Sequence, residues 1–361
     1  MTAGGRVLPA DAVRAAALAS RFTLVGLAPA APLEAGPLAD WLAAGYAADM
    51  EWMRRRQDER LNPEHVLPNA RTVVALAIDC RRPAGERSRV ARYARGGDYH
   101  NTHRVRLKAL RRRLLELDDT LETYASVDTG VAMEKVWAER AGLGFIGKNG
   151  LLINPRLGSW LTLSVMFLDR AVDGYDSPQP RLCGDCTRCL TACPTGAFPR
   201  PGVVDARRCI AYHSIESQAT VPLPLRRGFA GRVFGCDVCA DVCPFNDSAA
   251  AGPVAEADPR AALRPLAALT PAQIAALTEE QFARLAAGTA MARARYDGLR
   301  RNALLTLGAA RDRSARALVE SLTRDGRSPV VREAAAWALA QIDRVDDANA
   351  GGRDGGPALP S

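Results

Sequence analysis

Eight cysteines between positions 183 and 243 constrain this chain more than any other feature of its sequence. The first four precede Pro194 and are Cys183, Cys186, Cys189 and Cys193. Iron-sulfur proteins that carry two clusters use this C-x2-C-x2-C-x3-C-P spacing, in which three thiolates bind one cluster and the fourth binds the other. The remaining cysteines are Cys209, Cys236, Cys239 and Cys243. The pattern predicts two four-iron clusters.

The crossover in this motif predicts which cysteines share a cluster. The first cluster is expected to bind Cys183, Cys186, Cys189 and Cys243. The second cluster is expected to bind Cys193, Cys209, Cys236 and Cys239. Pro194 and Pro244 each follow a crossing cysteine and fix the turn that redirects the chain.

Disulfides and zinc are the alternatives for these cysteines. Close C-x2-C spacing in a chain without a secretory signal favours metal over cystine. Paired zinc sites need neither a third cysteine two residues on nor a Cys-Pro step, so they are disfavoured but stay open. Cys80 ends an apolar run outside the motif and is expected to be an inert buried thiol.

Length and charge limit the function classes. A chain of 361 residues predicts two or three domains, and it has no window as long and apolar as a membrane span. We therefore expect a cytoplasmic protein without a membrane segment. The formal charge of +8 suits a polyanionic partner, although solvated surfaces explain most charge runs. The arginine-rich segments are 54–56, 104–113, 226–227 and 293–301.

The first half of the chain alternates predicted helices and strands, which indicates an α/β or α+β domain. Predicted helices cover residues 11–20, 37–56 and 102–118. Predicted strands cover residues 22–27, 72–78 and 124–127, and a further strand covers 160–168. The glycine-rich segment 141–150 is not a phosphate loop, because Asn149 follows Lys148 and the glycine spacing differs.

Two polar groups lie where this domain could bind a ligand. Asp98, Tyr99 and His100 lie together at a loop-helix junction. Asp128 follows the strand 124–127, and ligands gather at the carboxyl ends of strands in α/β folds. The alternative for Asp128 is an N-cap of a helix over residues 132–141.

The last third of the chain is predicted to be helical. Its segments Arg301–Gly308 and Arg332–Leu339 are similar at an offset of 31 residues, as in stacked helical pairs of the HEAT type. An ordinary helical hairpin would give a similar pattern. The glycine-rich segment from Asp346 is expected to be disordered.

Two clusters supply electrons singly, whereas most organic substrates take two electrons and a proton. A further cofactor in the first half of the chain would close this gap, but no local motif identifies it.

Several stretches together resemble the epoxyqueuosine reductase family, cobalamin-dependent enzymes that complete queuosine in transfer RNA. In chain order they are 41–45, 50–53, 93–100, 128–130, 138–144, 146–149, 183–197, 209–216, 236–246 and 299–302. The combination of Asp128-Thr-Gly with Gly144-Phe-Ile-Gly-Lys-Asn is the specific part, because many ferredoxins share the cysteine motifs.

This resemblance implies an architecture and a reaction. The expected domains are a cobalamin-binding catalytic domain (1–175), a ferredoxin-like domain with two [4Fe-4S] clusters (176–255), a HEAT-like domain that docks transfer RNA (256–345) and a disordered tail (346–361). The implied reaction reduces the epoxide of epoxyqueuosine at the wobble position and expels its oxygen as water. The implied partners are a ferredoxin or flavodoxin and the anticodon stem-loop, and the chain would act as a monomer.

The resemblance also implies site residues. Asp128 matches the family's proton donor, with a pKa expected to be raised beside the apolar corrin. Cobalamin contacts are implied at Arg60, Ala91, Asp128, Asn149, Leu152, Leu163, Ala211 and Gln218. Charge reversal at Arg300 and Arg301 is expected to weaken binding of transfer RNA.

Three positions depart from the family pattern. Val131 replaces a usual proline, Lys135 a frequent arginine and Cys80 a common aromatic residue. Lysine lacks the bidentate fork of arginine, which affects substrate binding. The competing functions are a cobalamin-dependent reductive dehalogenase and a non-catalytic ferredoxin-like electron carrier.

Overall fold

The computed structural model describes residues 6–81, 89–247, 262–325 and 327–344. The predicted tail from Asp346 and the predicted boundary at residue 255 lie outside these residues. The described strands are β1 (Leu24–Pro29), β2 (Thr72–Asp79), β3 (Thr123–Ser126), β4 (Phe145–Ile146), β5 (Leu152–Ile153) and β6 (Leu161–Leu168). No described helix is long and apolar enough to cross a membrane.

Helices dominate the rest of the described chain. Those before the cysteine motif are α1 (Ala10–Ala19), α2 (Gly36–Ala43), α3 (Gln57–Leu61), α4 (Tyr99–Leu115) and α5 (Glu134–Arg140). The cysteine region contains α6 (Arg188–Ala192), α7 (Ile210–Ile215), α8 (Val238–Asp241) and α9 (Pro244–Asp247). The last third contains α10 (Pro265–Ala268), α11 (Pro271–Ala275), α12 (Glu279–Ala286), α13 (Arg295–Ala309), α14 (Arg316–Leu322) and α15 (Pro329–Ile342).

The main sheet has the strand order β1-β2-β6-β3, and every neighbouring pair is antiparallel. The α+β alternative of the predicted fold class is therefore right for this domain. The rule for the carboxyl ends of parallel strands does not apply to it, although Asp128 still follows the edge strand β3.

Helices cover both faces of the sheet. Alternate side chains of β2 point to opposite faces, so they pack into two different cores. Val74 and Leu76 join the core that contains Leu110 of α4. Val73 and residues of β6 pack instead around Trp137 of α5. Burial of both faces explains why β2 reads as a continuous apolar run.

The helix predicted over residues 37–56 is wrong beyond Ala43. Gly45 takes a φ of +71°, which ends α2 in the left-handed conformation that glycine adopts most easily. A separate 3-10 turn then covers Glu51–Met53. The helical periodicity of this segment predicts an apolar stripe of core residues, and that part is confirmed for Leu38, Leu42 and Met53, which share one cluster.

Hydrogen bonds join the sheet domain to the cysteine region. Trp41 donates its indole N–H to Val204 O at 2.8 Å, and Asn149 Nδ2 donates to Cys239 O at 3.2 Å. Buried Cys243 packs against Phe145 of β4 and Ile153 of β5. The cysteines are thus held directly against the domain that carries Asp128.

The two similar C-terminal segments lie in α13 and α15, which pack on each other. A Cβ atom at Gly308 would approach within 2.6 Å of Ala338 Cα, so a side chain there would force the helices apart. The same apolar core reaches Ile210 and Phe229 of the cysteine region. The helical prediction for this third of the chain is confirmed.

The expectation that Arg300 and Arg301 face RNA is wrong. Arg301 is 1 % exposed and donates to the backbone oxygens of Ser217 and His213. Arg300 is 7 % exposed and pairs with Asp325 at 2.9 Å. Burial lowers the pKa of Arg301 to about 10. These cations fasten α13 to the protein interior instead of binding a polyanion.

Candidate active site and cluster cage

Asp128 lies in a tight loop between β3 and α5. Its φ is +53°, a left-handed conformation that costs a residue with a side chain about 1 kcal/mol or more. The alternative of an N-cap is wrong, because α5 begins at Glu134 and Met133 occupies its cap position. The loop is therefore held in an unfavourable conformation by contacts outside a helix cap.

Glu134 makes the contacts that hold this loop from behind. Its Oε1 accepts hydrogen bonds from the Asp128 backbone N–H at 2.8 Å and from the Ser126 hydroxyl at 3.1 Å. Gly130 lies so close to Ser126 that a Cβ atom would come within 2.1 Å of its Oγ. Burial, with the negative charge of Asp128, raises the pKa of Glu134 to about 7.

His100 connects Asp128 to a second carboxylate. His100 Nε2 lies 3.1 Å from Asp128 Oδ2, and Nδ1 lies 2.6 Å from Asp98 Oδ1. Asp98 caps α4 by accepting the His100 backbone N–H at 2.9 Å. Burial opposes the charged ring, but the two carboxylates outweigh it and raise the pKa of His100 to about 9. An imidazolium between two carboxylates results.

The pKa of Asp128 lies below its ordinary value, contrary to the expected rise. Burial would raise it, but hydrogen bonds from His100 and Tyr99 and the positive charge of Arg293 outweigh burial. The Asp128 side chain remains 60 % exposed. In this structure its carboxyl group is therefore an anion exposed to solvent.

Sequence reasoning missed Glu134 and Arg293. Arg293 pairs with Glu216 at 2.6 Å, and its guanidinium lies 5.2 Å from the ring centroid of Trp52. The only signal for Arg293 was its place in an arginine-rich segment, and Glu134 carried none. Arg293 contacts residues distant along the chain, whereas Glu134 contacts the nearby Asp128 loop through a fold-back that no sequence pattern indicated.

Lys135 lies between the Asp128 loop and the cysteine region. Its side chain is exposed, and its Nζ donates to Gly150 O at 2.9 Å. Burial lowers its pKa, opposed by the negative charges of Glu134 and Cys239. The surface between α5 and the cysteine region, on which the side chains of Asp128 and Lys135 are exposed, is called the cleft below.

The residues implied for cobalamin occupy several places around this cleft. Leu152 and half-buried Leu163 share an apolar cluster with Ala75 and Ala77. Asn149 is buried beside Cys239. Leu152 and Asn149 are therefore buried, and of these three implied residues Leu163 alone keeps partial exposure.

Arg60 is buried behind the Asp128 loop. It donates to Trp52 O at 2.8 Å and to Val131 O at 3.4 Å, while its Nε has no partner. Burial lowers the pKa of this guanidinium, and an unpartnered buried donor is compatible with a polar ligand group.

The other three implied residues lie closer to the cysteine region. Ala91 packs against Gly235, Ala211 lies in α7 two residues after Cys209, and Gln218 lies against Gly298 of α13. The implied residues therefore do not share a single contact cluster in the described part of the chain, and their contact with cobalamin stays a prediction.

The eight cysteines fall into two electrostatically coupled groups. Cys189 interacts with Cys183, Cys186 and Cys243. Cys239 interacts with Cys236, Cys209 and Cys193, and also with Cys189 of the first group. These groups have the membership that the crossover spacing predicts. Ligation of iron by these thiols stays a prediction.

Backbone amides face several of the thiols. Ala197 donates its N–H to Cys193 Sγ at 3.3 Å, and Cys209 accepts from Ala211 and Tyr212. Burial raises the pKa of Cys236 to about 11, so metal binding there must release a proton. Such N–H···S bonds are one of the means by which proteins set cluster potentials.

The structure bears on both alternatives for the cysteines, disulfides and zinc. No disulfide joins any of the nine cysteines, all of which lie within the described residues, and Cys80 is half-buried, not buried as expected. In the described part of the chain, no three metal-binding side chains are close enough to hold a single ion. A four-iron cluster is larger than a single ion and binds four thiolates spaced around it, so it does not require three side chains to converge on one point.

Comparison with known proteins identifies both regions. Residues 182–246 match the family model of a 4Fe-4S double cluster binding domain, which supports iron-sulfur clusters over zinc. Residues 60–129 match the family model "Epoxyqueuosine reductase QueG, DUF1730". The epoxyqueuosine reductase of Gloeobacter violaceus is 42 % identical over 314 residues, covering 84 % of this chain and 98 % of the relative. That of Escherichia coli is 34 % identical, covering 89 % and 86 %.

Solved structures give the same relationship. A crystal structure of epoxyqueuosine reductase with an epoxyqueuosine-modified tRNA-Tyr stem loop has a TM-score of 0.84 at 29 % identity, covering 92 % of this chain and 89 % of that one. A structure of the Bacillus subtilis enzyme, with its catalytic aspartate loop swung out of the active site, has a TM-score of 0.82 at 29 % identity, covering 92 % and 90 %.

Proposed function

This chain belongs to the epoxyqueuosine reductase family, and from that premise we propose that it reduces epoxyqueuosine to queuosine at the wobble position of transfer RNA, with Asp128 as proton donor. The observation that carries the proposal is the exposed Asp128 carboxyl group, held through Glu134 beside Lys135, which in turn lies within electrostatic range of Cys239. Opening an epoxide develops charge on its oxygen, and a positioned acid quenches that charge.

The cleft fits cobalamin in the chemistry of its surface. Half-buried Leu163 would give an apolar contact, and the unpartnered Nε of Arg60 would give a donor to a polar group of the cofactor. Asn149 and Leu152 are buried and would support these contacts from behind, and Ala91, Ala211 and Gln218 are the implied contacts nearest to the cysteine region. When bound, cobalamin would supply a low-valent metal centre able to reduce the strained ring. The chain's own groups exclude water, orient the substrate and hold the proton.

Electrons would reach the cleft through the two cysteine groups. The group containing Cys239 is nearer the cleft, because Cys239 interacts with Lys135. The other group lies under an exposed loop in which Leu182 is 47 % exposed. We expect a ferredoxin or flavodoxin to donate electrons at this outer group, one at a time.

The anticodon stem-loop would dock on the HEAT-like helices of the last third of the chain. Arg293 and Arg295 replace Arg300 and Arg301 as expected phosphate contacts, because their side chains are exposed. Arg293 also lies within electrostatic range of Asp128, so RNA bound there would approach the cleft. We expect a monomer acting in the cytoplasm, with the domain limits predicted above.

An anaerobic assay tests the proposal. The protein, reconstituted with iron, sulfide and cobalamin, is incubated with epoxyqueuosine-containing transfer RNA and a chemical reductant, and nucleosides are identified by mass. Queuosine should form, and Asp128→Asn should abolish most of it. Clusters without bound corrin would indicate the electron-carrier function, and halide release from an aryl halide without queuosine would indicate the dehalogenase.

A further inference from the structure

The stoichiometry of the proposed reaction demands more protons than one carboxyl group holds. Removing the epoxide oxygen breaks two C–O bonds, forms one C=C bond and releases water, which consumes two electrons and two protons. The iron-sulfur groups supply electrons and no protons. Asp128 can carry one proton at a time, so each turnover requires a neighbouring group that reloads it.

We infer that His100, held by Asp98, is the positioning residue that reloads Asp128 with protons, an inference that rests on the proposed function. His100 Nε2 faces Asp128 Oδ2 at 3.1 Å, and Nδ1 faces Asp98 Oδ1 at 2.6 Å. An ionised carboxylate only accepts hydrogen bonds, so Asp98 keeps a proton on Nδ1. The proton that can move is therefore the one on Nε2, on the side of Asp128.

Neighbouring groups on the same helix do not offer this proton. His103, one turn further along α4, bonds through both ring nitrogens to Ser164 and Thr162. Burial lowers the pKa of His103 to about 3, so it stays neutral. Burial raises the pKa of Tyr99, so its phenol stays protonated as a donor to Asp128.

Groups on the other elements are also unsuited to reload Asp128. Arg293 faces it with a permanent positive charge, and the buried phenol of Tyr93 also has a raised pKa. Glu134 titrates near neutrality but bonds to the backbone N–H of Asp128, behind its carboxyl group. Among the described residues, His100 has both a movable proton and a direct contact with the Asp128 carboxyl.

Covering the cleft supplies the driving force for the transfer. In the open structure the proton rests on His100, since the pKa of His100 is raised to about 9 and that of Asp128 is lowered. The Asp128 side chain is 60 % exposed and the His100 side chain 16 % exposed. A substrate that covers Asp128 removes water from the carboxylate, disfavours the ion pair and moves the proton to the carboxyl group.

The full cycle then balances. Asp128 gives the oxygen the proton that it received from His100 as the first C–O bond breaks. His100 then takes a second proton from solvent and passes it through Nε2 to Asp128. The second proton passes from Asp128 as the second C–O bond breaks and water leaves. His100 regains its protons from solvent at the edge of the cleft, where the Asp98 side chain is 23 % exposed.

The test compares His100→Gln with wild type, because glutamine keeps an N–H donor but carries no charge. We expect kcat to fall about 10²-fold, on the scale of general acid catalysis, with KM within about twofold. The pH profile of kcat should lose its wild-type decline near pH 9. Unchanged kcat and an unchanged profile, in a series where Asp128→Asn is inactive, would overturn the role of His100.

A second measurement does not depend on activity. Histidine ring carbons labelled with ¹³C are titrated by NMR in the cluster-loaded protein, and the His100 signal is assigned by its loss in His100→Gln. The signal should titrate near pH 9, and at lower pH in Asp98→Asn and in Asp128→Asn. Titration near the ordinary histidine value in wild type would overturn the inference. Activity retained by Asp128→Asn would instead overturn the proposed function itself.

Discussion

Charged side chains lie within the protein both at the cleft and at the α13 interface, but they are held differently. Around Asp128, carboxylates and an imidazole share protons next to water. Around Arg301, backbone oxygens surround a cation that is 1 % exposed. The comparison teaches that reactivity needs a titratable group with access to a substrate, whereas a fully bonded buried charge fixes a packing arrangement.

The largest expected effect is on stability at α13. Arg301→Ala should lower the free energy of unfolding by about 3–5 kcal/mol, because buried carbonyl oxygens lose their donor. Urea unfolding and iron content check it, with Arg284→Ala on exposed α12 as the control. Equal stability of the two variants would show that Arg301 does not stabilise the packing of α13.

The second effect separates chemistry from stability. Asp128→Asn should lower kcat at least ~100-fold, because the acid is lost while its shape is kept. Iron content should stay at the wild-type value, and the urea midpoint should fall only by the share of the His100 ion pair that Asp128 contributes. Near-normal turnover would remove Asp128 from the reaction, and loss of iron would make the loop a structural element like α13.

The third effect concerns pH. The folded-state pKa of His100, about 9, lies above its ordinary 6.5, so the charged ring stabilises the fold fully below about pH 6.5 and loses this contribution as the pH rises through about 9. His100→Gln should cost about 2 kcal/mol at pH 6, a value reduced by solvent screening of Asp128, and almost nothing at pH 10. Thermal unfolding at both pH values measures the difference. A cost independent of pH would mean that His100 acts only by packing.

The fourth effect tests what holds the Asp128 loop. Glu134→Ala removes the acceptor of the Asp128 N–H and should lower kcat about 10-fold, the equivalent of one hydrogen bond to a charged group. Glu134→Gln keeps an acceptor oxygen and should lose less. Hydrogen exchange of residues 127–131 should accelerate in the alanine variant. Equal exchange rates in Glu134→Ala and Glu134→Gln would show that the acceptor oxygen of Glu134 does not hold this loop.

The smallest effect is on RNA binding. Arg293→Glu and Arg295→Glu should each weaken binding of transfer RNA several-fold. Each should also reduce the slope of the logarithm of the binding constant against the logarithm of the salt concentration by the equivalent of about one phosphate contact. Arg112→Glu is the control, because it lies 12 residues along α4 from His100, about 18 Å away. Equal weakening by the control would indicate a general charge effect without a defined docking surface.

Much of the fold was readable from local patterns. The buried strand β2 and the helix α1 lie within a residue or two of their predicted limits. The helix predicted over residues 37–56 failed because the apolar stripe continues through Gly45, where the backbone turns left-handed. Periodicity reports which side chains are buried, but it cannot report a break between two helical segments that share one core.

The sequence by itself predicted the grouping of the cysteines, because the C-x2-C-x2-C-x3-C-P spacing assigns three close cysteines to one cluster and the fourth to the other. It also placed Asp128 at the end of a strand and Asp98, Tyr99 and His100 at the start of a helix. Only the tertiary structure decided that His100 meets Asp128, that Glu134 holds its loop and that Arg301 is buried. Burial and the pairing of charges depend on chain segments far apart in sequence, and the same arginine is a surface cation or an interior anchor according to what packs over it.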